Sequence, residues 1–308
     1  MVINKKSPKN KTLYITKDIV NLYIPKCIEI KEKIKNINDV KNKTIIGNSF
    51  EVLKKMPTNS VDLIVTDPPY NIEKRFNQES FKKMEDDDYC KWLDLWLKEL
   101  KRILKFTGSI YVCCDWSSSP LVWGVMKKYF IVRNRITWER EKGRASLINW
   151  KNNIEDIYFA TVSDEYVFNL DKVMIKKAVL APYKDKDGNA KDWFLEKGEK
   201  YRLTAPSNVW TDITIPYWSM KENTEHPTQK PEKLIAKLVL ASSNEGNLVL
   251  DPFLGSGTTS VVAKKLKRNY VGIEIDKGYA AICEKRLEEA DDVIQGYSGE
   301  YFLAKGVK

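Results

Sequence analysis

Apolar positions along the chain fall into short runs that alternate with longer periodic stretches. Residues 44–46 and 61–66 are mostly β-branched or aliphatic and are bounded by turn residues, which predicts two short buried strands. Between them, residues 50–55 predict a helix with Ser49 as its cap, and Pro57 to Ser60 a turn. Residues 89–105 place Trp92, Trp96, Leu100, Ile103 and Leu104 on one face of a long amphipathic helix. Residues 110–114 read as a buried strand, and 130–139 and 154–161 alternate apolar and polar as two more. From Pro231, which suits a first helical turn, a helix is predicted over 231–244 with Leu234, Ile235, Leu238 and Val239 inward. A strand (247–250), a helix (256–266), a strand (270–275) and a last helix (279–290) follow. Alternation of this kind predicts an α/β fold, a doubly wound and mostly parallel sheet covered on both faces.

Four stretches lack a sustained period and set the expected organisation. Residues 1–42 are basic and patchily apolar, an N-terminal extension rather than a domain. Residues 71–88 are polar, a long connection of the functional or mobile kind. Residues 141–225 read as an irregular insertion that carries recognition, leaving 43–140 and 226–295 as the catalytic domain and 296–308 as a tail.

Composition narrows the class. At 308 residues, with 43% hydrophobic and 31% charged, the chain suits a soluble globular enzyme. No run approaches the roughly 18 apolar residues of a membrane span. The Lys/Asn-rich start has no secretory pattern, so a cytoplasmic location is expected. The cysteines at 27, 90, 113, 114 and 283 form no CxxC pair and His226 is the only histidine, so no metal site is expected. The net charge of +10 suits a polyanionic partner, although Lys-, Asn- and Ile-rich composition also arises from an AT-rich genome. Residues 1–43 hold eleven lysines against four acids and so carry most of the excess.

Two motifs carry chemistry. After the strand at 61–66 come Asp67, Pro68, Pro69 and Tyr70. The prolines stiffen the corner and offer no N–H, so the Asp67 carboxylate and Pro68 carbonyl form an acceptor-rich site with a flat ring beside it. Such a corner suits the amine of a planar heterocycle, and equally a Pro-rich turn with Tyr70 as packing. Near the other end, Asp251, Phe253, Gly255, Ser256, Gly257 and Thr258 span a strand end, a glycine turn and a helix start. No Lys follows the second glycine and Ser260 stands at the third glycine of a dinucleotide fingerprint, so this is neither a P-loop nor an NAD turn. Glu274, with Asp276 in reserve, ends the next strand where doubly wound folds place a ribose-binding acid. An adenosine ligand with a small charged tail, its ammonium at Asp251, fits this set.

Together DPPY at 67–70, HPTQKP at 226–231 and DPFLGSG at 251–257 resemble the amino-methylating DNA methyltransferases, in the β order with DPPY first. The resemblance covers about half the chain. It implies a Rossmann-like methyltransferase fold with permuted motif order and S-adenosylmethionine as cofactor. By the same resemblance, Asp67 and Pro68 accept from the target amine, Pro69 completes the corner, and Tyr70 stacks on a flipped base. Phe253, Gly255, Ser256, Gly257 and Thr258 line the cofactor together with Asp67, and Glu274 holds its ribose. His226, Thr228, Gln229 and Lys230 close over its methionine end, with Thr228 and Lys230 at the carboxylate. Asn48 stands where the family often has an acid reading the cofactor's adenine. The implied reaction is direct methyl transfer to adenine N6 in double-stranded DNA. Cytosine N4 on the same fold is the nearest alternative, an RNA or protein-amide methyltransferase a further one, and a non-catalytic binding module the last. A homodimer and a cognate restriction endonuclease are candidate partners. Because 141–225 is nearly neutral, with 13 basic and 14 acidic residues, the phosphate contacts are assigned to Arg133, Arg135, Arg140, Lys142 and Arg144 around Trp138.

Overall fold

Eight of the strands lie in one sheet in the computed structural model, which describes residues 7–76, 79–140, 147–180 and 183–304. The first half of the chain contains α1 (Lys17–Tyr23), β1 (Lys43–Ile46), α2 (Ser49–Lys55), β2 (Val61–Thr66) and the hairpin β3 (Lys74–Phe76) and β4 (Glu79–Phe81). It continues through α3 (Asp86–Ile103), β5 (Leu104–Asp115), α4 (Ser119–Met126), β6 (Ile131–Glu139) and β7 (Ile154–Thr161). The second half contains β8 (Ile175–Ala178), β9 (Phe194–Glu196), β10 (Glu199–Thr204), β11 (Val209–Trp210) and α5 (Glu232–Ser242). Last come β12 (Leu248–Asp251), α6 (Thr258–Lys265), β13 (Asn269–Glu274), α7 (Lys277–Glu288) and β14 (Phe302–Leu303).

The sheet order is β1-β13-β12-β2-β5-β7-β6-β11, and only β7 runs antiparallel to its neighbours. Successive residues of β2 feed opposite faces. Ile64 joins the core under α2, α3 and α4, while Leu63 and Val65 join the core under α5 and α6. This is the expected α/β doubly wound, mostly parallel sheet, and it sends the ends of β2, β12 and β13 to one carboxyl edge.

Several expectations shift. Residues 7–42 are stitched onto the domain, not an appendage: Ile28 exchanges backbone hydrogen bonds with β1, Ile34 N–H reaches the Lys55 carbonyl, and Tyr23 and Ile34 are buried. The patchy apolar positions here are the anchors of a strap. The long helix starts at Asp86, because Asp86, Asp87 and Asp88 suit the positive end of its dipole. It passes without a loop at Leu104 into β5, which is far longer than the apolar run at 110–114. Gly108 makes this possible, since a Cβ there would meet the Lys105 carbonyl at 2.9 Å, beside a register shift in β2. Helix α4 was not predicted; Pro120 and Gly124 broke up its apolar pattern. The stretch 71–88 contains the β3–β4 hairpin.

The region 141–225 is more ordered than expected. Strands β8, β9 and β10 form a small antiparallel sheet joined by β14, so the supposed tail at 296–308 contributes a strand. Strands of three to six residues leave no sustained period to read. Within the described residues no helix is long and apolar enough to cross a membrane.

Candidate active site

Strand β2 ends at Thr66, and the two prolines hold the chain extended beyond it. Tyr89 of α3 fixes the corner by donating to the Pro69 carbonyl at 2.9 Å. Asn71 closes the loop behind it, bonding Met84 through both ends of its amide and Ser118 through its backbone N–H. On the neighbouring strand, β12 ends at Asp251 and the glycine turn follows. Both motifs open into one cleft of about 300 Å³, lined among others by Asp67, Pro68, Tyr70, Lys230, Phe253, Gly255 and Glu274. Parallel order thus brings the two distant motifs together.

The turn is built for close approach. Gly255 has φ +56°, and a Cβ on it would meet His226 Nε2 at 2.9 Å. The His226 ring stands edge-on to Tyr279 at 4.5 Å and forms the opposite wall. Glu274 is buried and accepts from the backbone N–H groups of Gly255 (2.6 Å) and Asp276 (2.8 Å), which fixes it against the turn. Asp251 accepts from Phe253 N–H (3.1 Å) and the Thr259 hydroxyl (2.6 Å). Burial pushes both carboxyls up to about 7, and among the described residues neither forms an ion pair with a basic side chain. Phe253 packs on Trp92 and Trp96, at 5.9 and 5.3 Å between ring centres, and gives an apolar wall. A buried acid without a counter-ion, a ribose-type acid at a glycine turn and an aromatic wall fit a cationic adenosine ligand such as S-adenosylmethionine.

At the Asp67 end the side chains form a tight cluster. The Tyr70 hydroxyl lies 2.6 Å from Asp67 Oδ1 and 3.1 Å from Glu155 Oε2. Lys230 Nζ lies 2.5 Å from Asp67 Oδ2, 3.1 Å from the Tyr70 hydroxyl and 3.2 Å from Glu155 Oε2. Burial opposes the Lys230 charge, but Asp67 and Glu155 outweigh it and hold the ammonium protonated. Burial and the same two carboxylates push Tyr70 well above the ordinary phenol range, so the hydroxyl keeps its proton.

Of the sequence-assigned residues, Asp67, Pro68, Pro69, Tyr70, His226, Thr228, Gln229, Lys230, Asp251, Phe253, Gly255, Ser256, Thr258, Glu274 and Asn48 line this one cleft. Several of them play other parts than the resemblance implied. Lys230 is held by Asp67 and Glu155, not left for a carboxylate. Gln229 spends its amide on Thr224 and the Glu222 carbonyl, bracing the segment. Gly257 does not line the cleft; with φ +86° it faces Cys283 of α7, whose Sγ a Cβ would meet at 2.3 Å. Buried Arg286 holds the turn from behind through the Ser256 carbonyl (2.8 Å) and the Thr258 hydroxyl (3.1 Å). Asn48, not Ser49, caps α2 through Phe50 N–H at 2.9 Å, while the Ser49 hydroxyl binds the Pro252 carbonyl. Asp276 caps α7 through Tyr279 N–H.

Among the described residues, each arginine assigned to DNA is turned to an acid of the chain. Arg133 lies near the start of β6, at the edge away from the cleft, and is engaged with Asp164 (2.6 Å) and Tyr166. Arg135 sits 3.7 Å from Asp156, and Arg140 turns inward to Glu155 at 2.9 Å. Lys142 and Arg144 lie outside the described residues. Arg133 stands at a register shift of β6 and Arg140 lies past the strand's end, so the alternation that would align Arg133 with Arg135 is broken and closeness in sequence gave no patch.

Sequence reasoning missed Glu155. It looks like an ordinary polar position of an alternating strand, and only the reversed direction of β7 delivers it to the carboxyl edge.

Residues 61–285 match the family model described as DNA methylase. The DNA adenine methyltransferase YhdJ of Escherichia coli (strain K12) is 35% identical over 84% of this chain and 85% of its own length. The type II methyltransferase M.HpaI of Haemophilus parainfluenzae is 34% identical over 79% and 73%. Among solved structures, the cytosine-N4-specific PvuII DNA methyltransferase superposes with a TM-score of 0.61 at 19% identity, covering 84% of this chain and 89% of its own. A complex of M1.HpyAVI with S-adenosylmethionine superposes with a TM-score of 0.54 at 24% identity, covering 79% and 98%. With its two motifs joined in one cleft and this likeness running through most of its length, the chain belongs to the DNA methylase family of amino-directed methyltransferases.

Proposed function

We propose that the protein transfers a methyl group from S-adenosylmethionine to N6 of an adenine flipped out of double-stranded DNA. The observation that supports this reading is that Asp67 and Pro68 line the same cleft as the glycine turn. An adenine amine is a poor nucleophile because its lone pair is delocalised into the ring. Asp67 and the Pro68 carbonyl accept its two N–H bonds, which localises the lone pair and aims it along the cleft. Bound S-adenosylmethionine supplies an electrophilic methyl on a sulfonium whose leaving group is a neutral thioether. The new N–C bond forms as the C–S bond breaks, and the surplus amine proton passes through Asp67 to solvent. No covalent enzyme adduct is required. Glu274 holds the ribose end, Asp251 the ammonium, and Phe253 the apolar side. The base must leave the duplex to reach this corner, and the Tyr70 ring is its stacking surface.

Relatives named for adenine favour N6 over cytosine N4, which the same two acceptors would also serve. Type II relatives favour a cognate restriction endonuclease as partner, a role in host DNA and a cytoplasmic location; the homodimer stays a proposal of family resemblance. The test is labelled cofactor with duplex DNA, followed by nucleoside analysis. Label in N6-methyladenine is the expected result, and label in N4-methylcytosine or none would overturn the reading. Asp67→Ala should lower transfer on the order of a hundredfold or more while cofactor binding stays intact.

A further inference from the structure

Both oxygens of the Asp67 carboxylate already have internal donors. Tyr70 occupies Oδ1 at 2.6 Å and Lys230 occupies Oδ2 at 2.5 Å. A cation at this distance withdraws electron density from the group that must accept the target amine, and later its proton. The resting arrangement therefore weakens Asp67 for its task. Both donors, however, are also within reach of a second carboxylate. Glu155 Oε2 lies 3.1 Å from the Tyr70 hydroxyl and 3.2 Å from Lys230 Nζ. Its other oxygen is held 2.9 Å from Arg140 Nη1, which fixes the carboxylate from outside the cleft. Asp67, Glu155, Lys230 and Arg140 together are neutral, so a shift of Lys230 between the two acids leaves no uncompensated buried charge.

We propose that Glu155 is a positioning residue that takes Lys230 and the Tyr70 hydroxyl from Asp67 when the target base enters, switching the site from a self-satisfied resting state to a competent one. This rests on the reading of Asp67 as the amine acceptor. The movement required is small, because both donors already contact Glu155. Nothing in the exchange consumes a proton or a co-reactant. Lys230 stays charged and Tyr70 stays protonated in either state.

Glu155→Gln keeps the shape of the side chain but removes the charge that competes for Lys230. It should lower kcat about tenfold or more and weaken capture of the extruded base, read by the fluorescence of 2-aminopurine at the target position. Affinity for S-adenosylmethionine, measured by calorimetry, should stay within about twofold. The decisive variant is Glu155→Gln/Lys230→Gln. With Lys230 gone, Asp67 has no cation to shed, so the double variant should match Lys230→Gln alone within about threefold, not fall by the product of the two losses. Because contacting residues couple whatever their part, a merely structural role is recognised instead by loss of S-adenosylmethionine affinity and of thermal stability alongside kcat in Glu155→Gln. Unchanged kinetics in Glu155→Gln, or multiplicative losses in the double variant, would overturn the inference. If Glu155→Gln fails to fold, Glu155→Asp, which keeps the charge and shortens the reach, carries the same comparison. The wild-type arm reports separately on the proposed function: absence of label in adenine sinks that reading, whereas label in adenine with a silent Glu155→Gln sinks only this one.

Discussion

Asp251 is buried at the end of β12, where it accepts from the Phe253 N–H and the Thr259 hydroxyl. Burial raises its carboxyl to about 7, above its unfolded value near 4. The sign follows from proton binding. Between these values the folded protein holds a proton that the unfolded chain does not, so the stability from this group is present in acid and lost as pH rises through about 7. A ligand bringing an ammonium to Asp251 reverses the preference, because it selects the ionised form. Affinity for S-adenosylmethionine is therefore expected to rise about tenfold from pH 6 to 8, with proton release on binding. Titration calorimetry in buffers of different ionisation enthalpy measures both, and Asp251→Asn should flatten the profile. A profile in wild type as flat as in that variant would remove Asp251 from the ammonium site.

At the scale of elements, the glycine turn is a joint between α6 and α7 as much as a ligand cradle. Gly257 holds φ +86° with Cys283 Sγ 2.3 Å from where its Cβ would stand. Gly257→Ala combines left-handed strain with overpacking and is expected to cost about 2–4 kcal/mol in denaturant unfolding. Adding Cys283→Ala should recover the overpacking part and leave the strain; no recovery would mean the helices do not meet this way in solution. The sequence could not distinguish this packing glycine from Gly255, which faces the cleft, because both read as the same turn. Elements with a clean period were legible: β2, α5, β12 and β13 fell within a residue or two of their places, and their order sufficed to join the two motifs. What escaped were features of direction and pairing. The antiparallel course of β7, the merging of α3 into β5 and the short strands β8 to β10 depend on which neighbours they meet, and no local pattern records that. Asp67 and Glu274 were legible as cleft residues from their types and their places at strand ends, and Phe253 through the family resemblance, whereas Glu155 reaches the site by topology alone.

For the whole molecule, the question is where the positive charge sits relative to the cleft. The arginines at 133, 135 and 140 are turned to acids, and the described sheet of β8, β9, β10 and β14 belongs to a region with nearly balanced charge. The excess lies instead in the first 43 residues, with eleven lysines. This strap does not hang free. Lys11 N–H binds the Trp218 carbonyl at 2.7 Å, Leu13 pairs with Thr224, and Ile15 N–H binds the Glu225 carboxylate. Residue 225 directly precedes His226 of the cleft wall, so the strap runs along the flank of the site, with Lys9 and Lys11 exposed on the segment that joins Trp218. DNA held with a base in the cleft would pass over this flank, and each phosphate neutralised releases counter-ions. Lys9→Gln/Lys11→Gln is therefore expected to weaken binding to any duplex alike, and to reduce the slope of log affinity against log salt by about two. Sequence preference and the kcat on saturating DNA should stay as they were, because neither lysine reaches a base edge or the amine corner. An unchanged slope would mean that the strap only clamps the fold, and that phosphate contacts lie in the connection carrying Lys142 and Arg144.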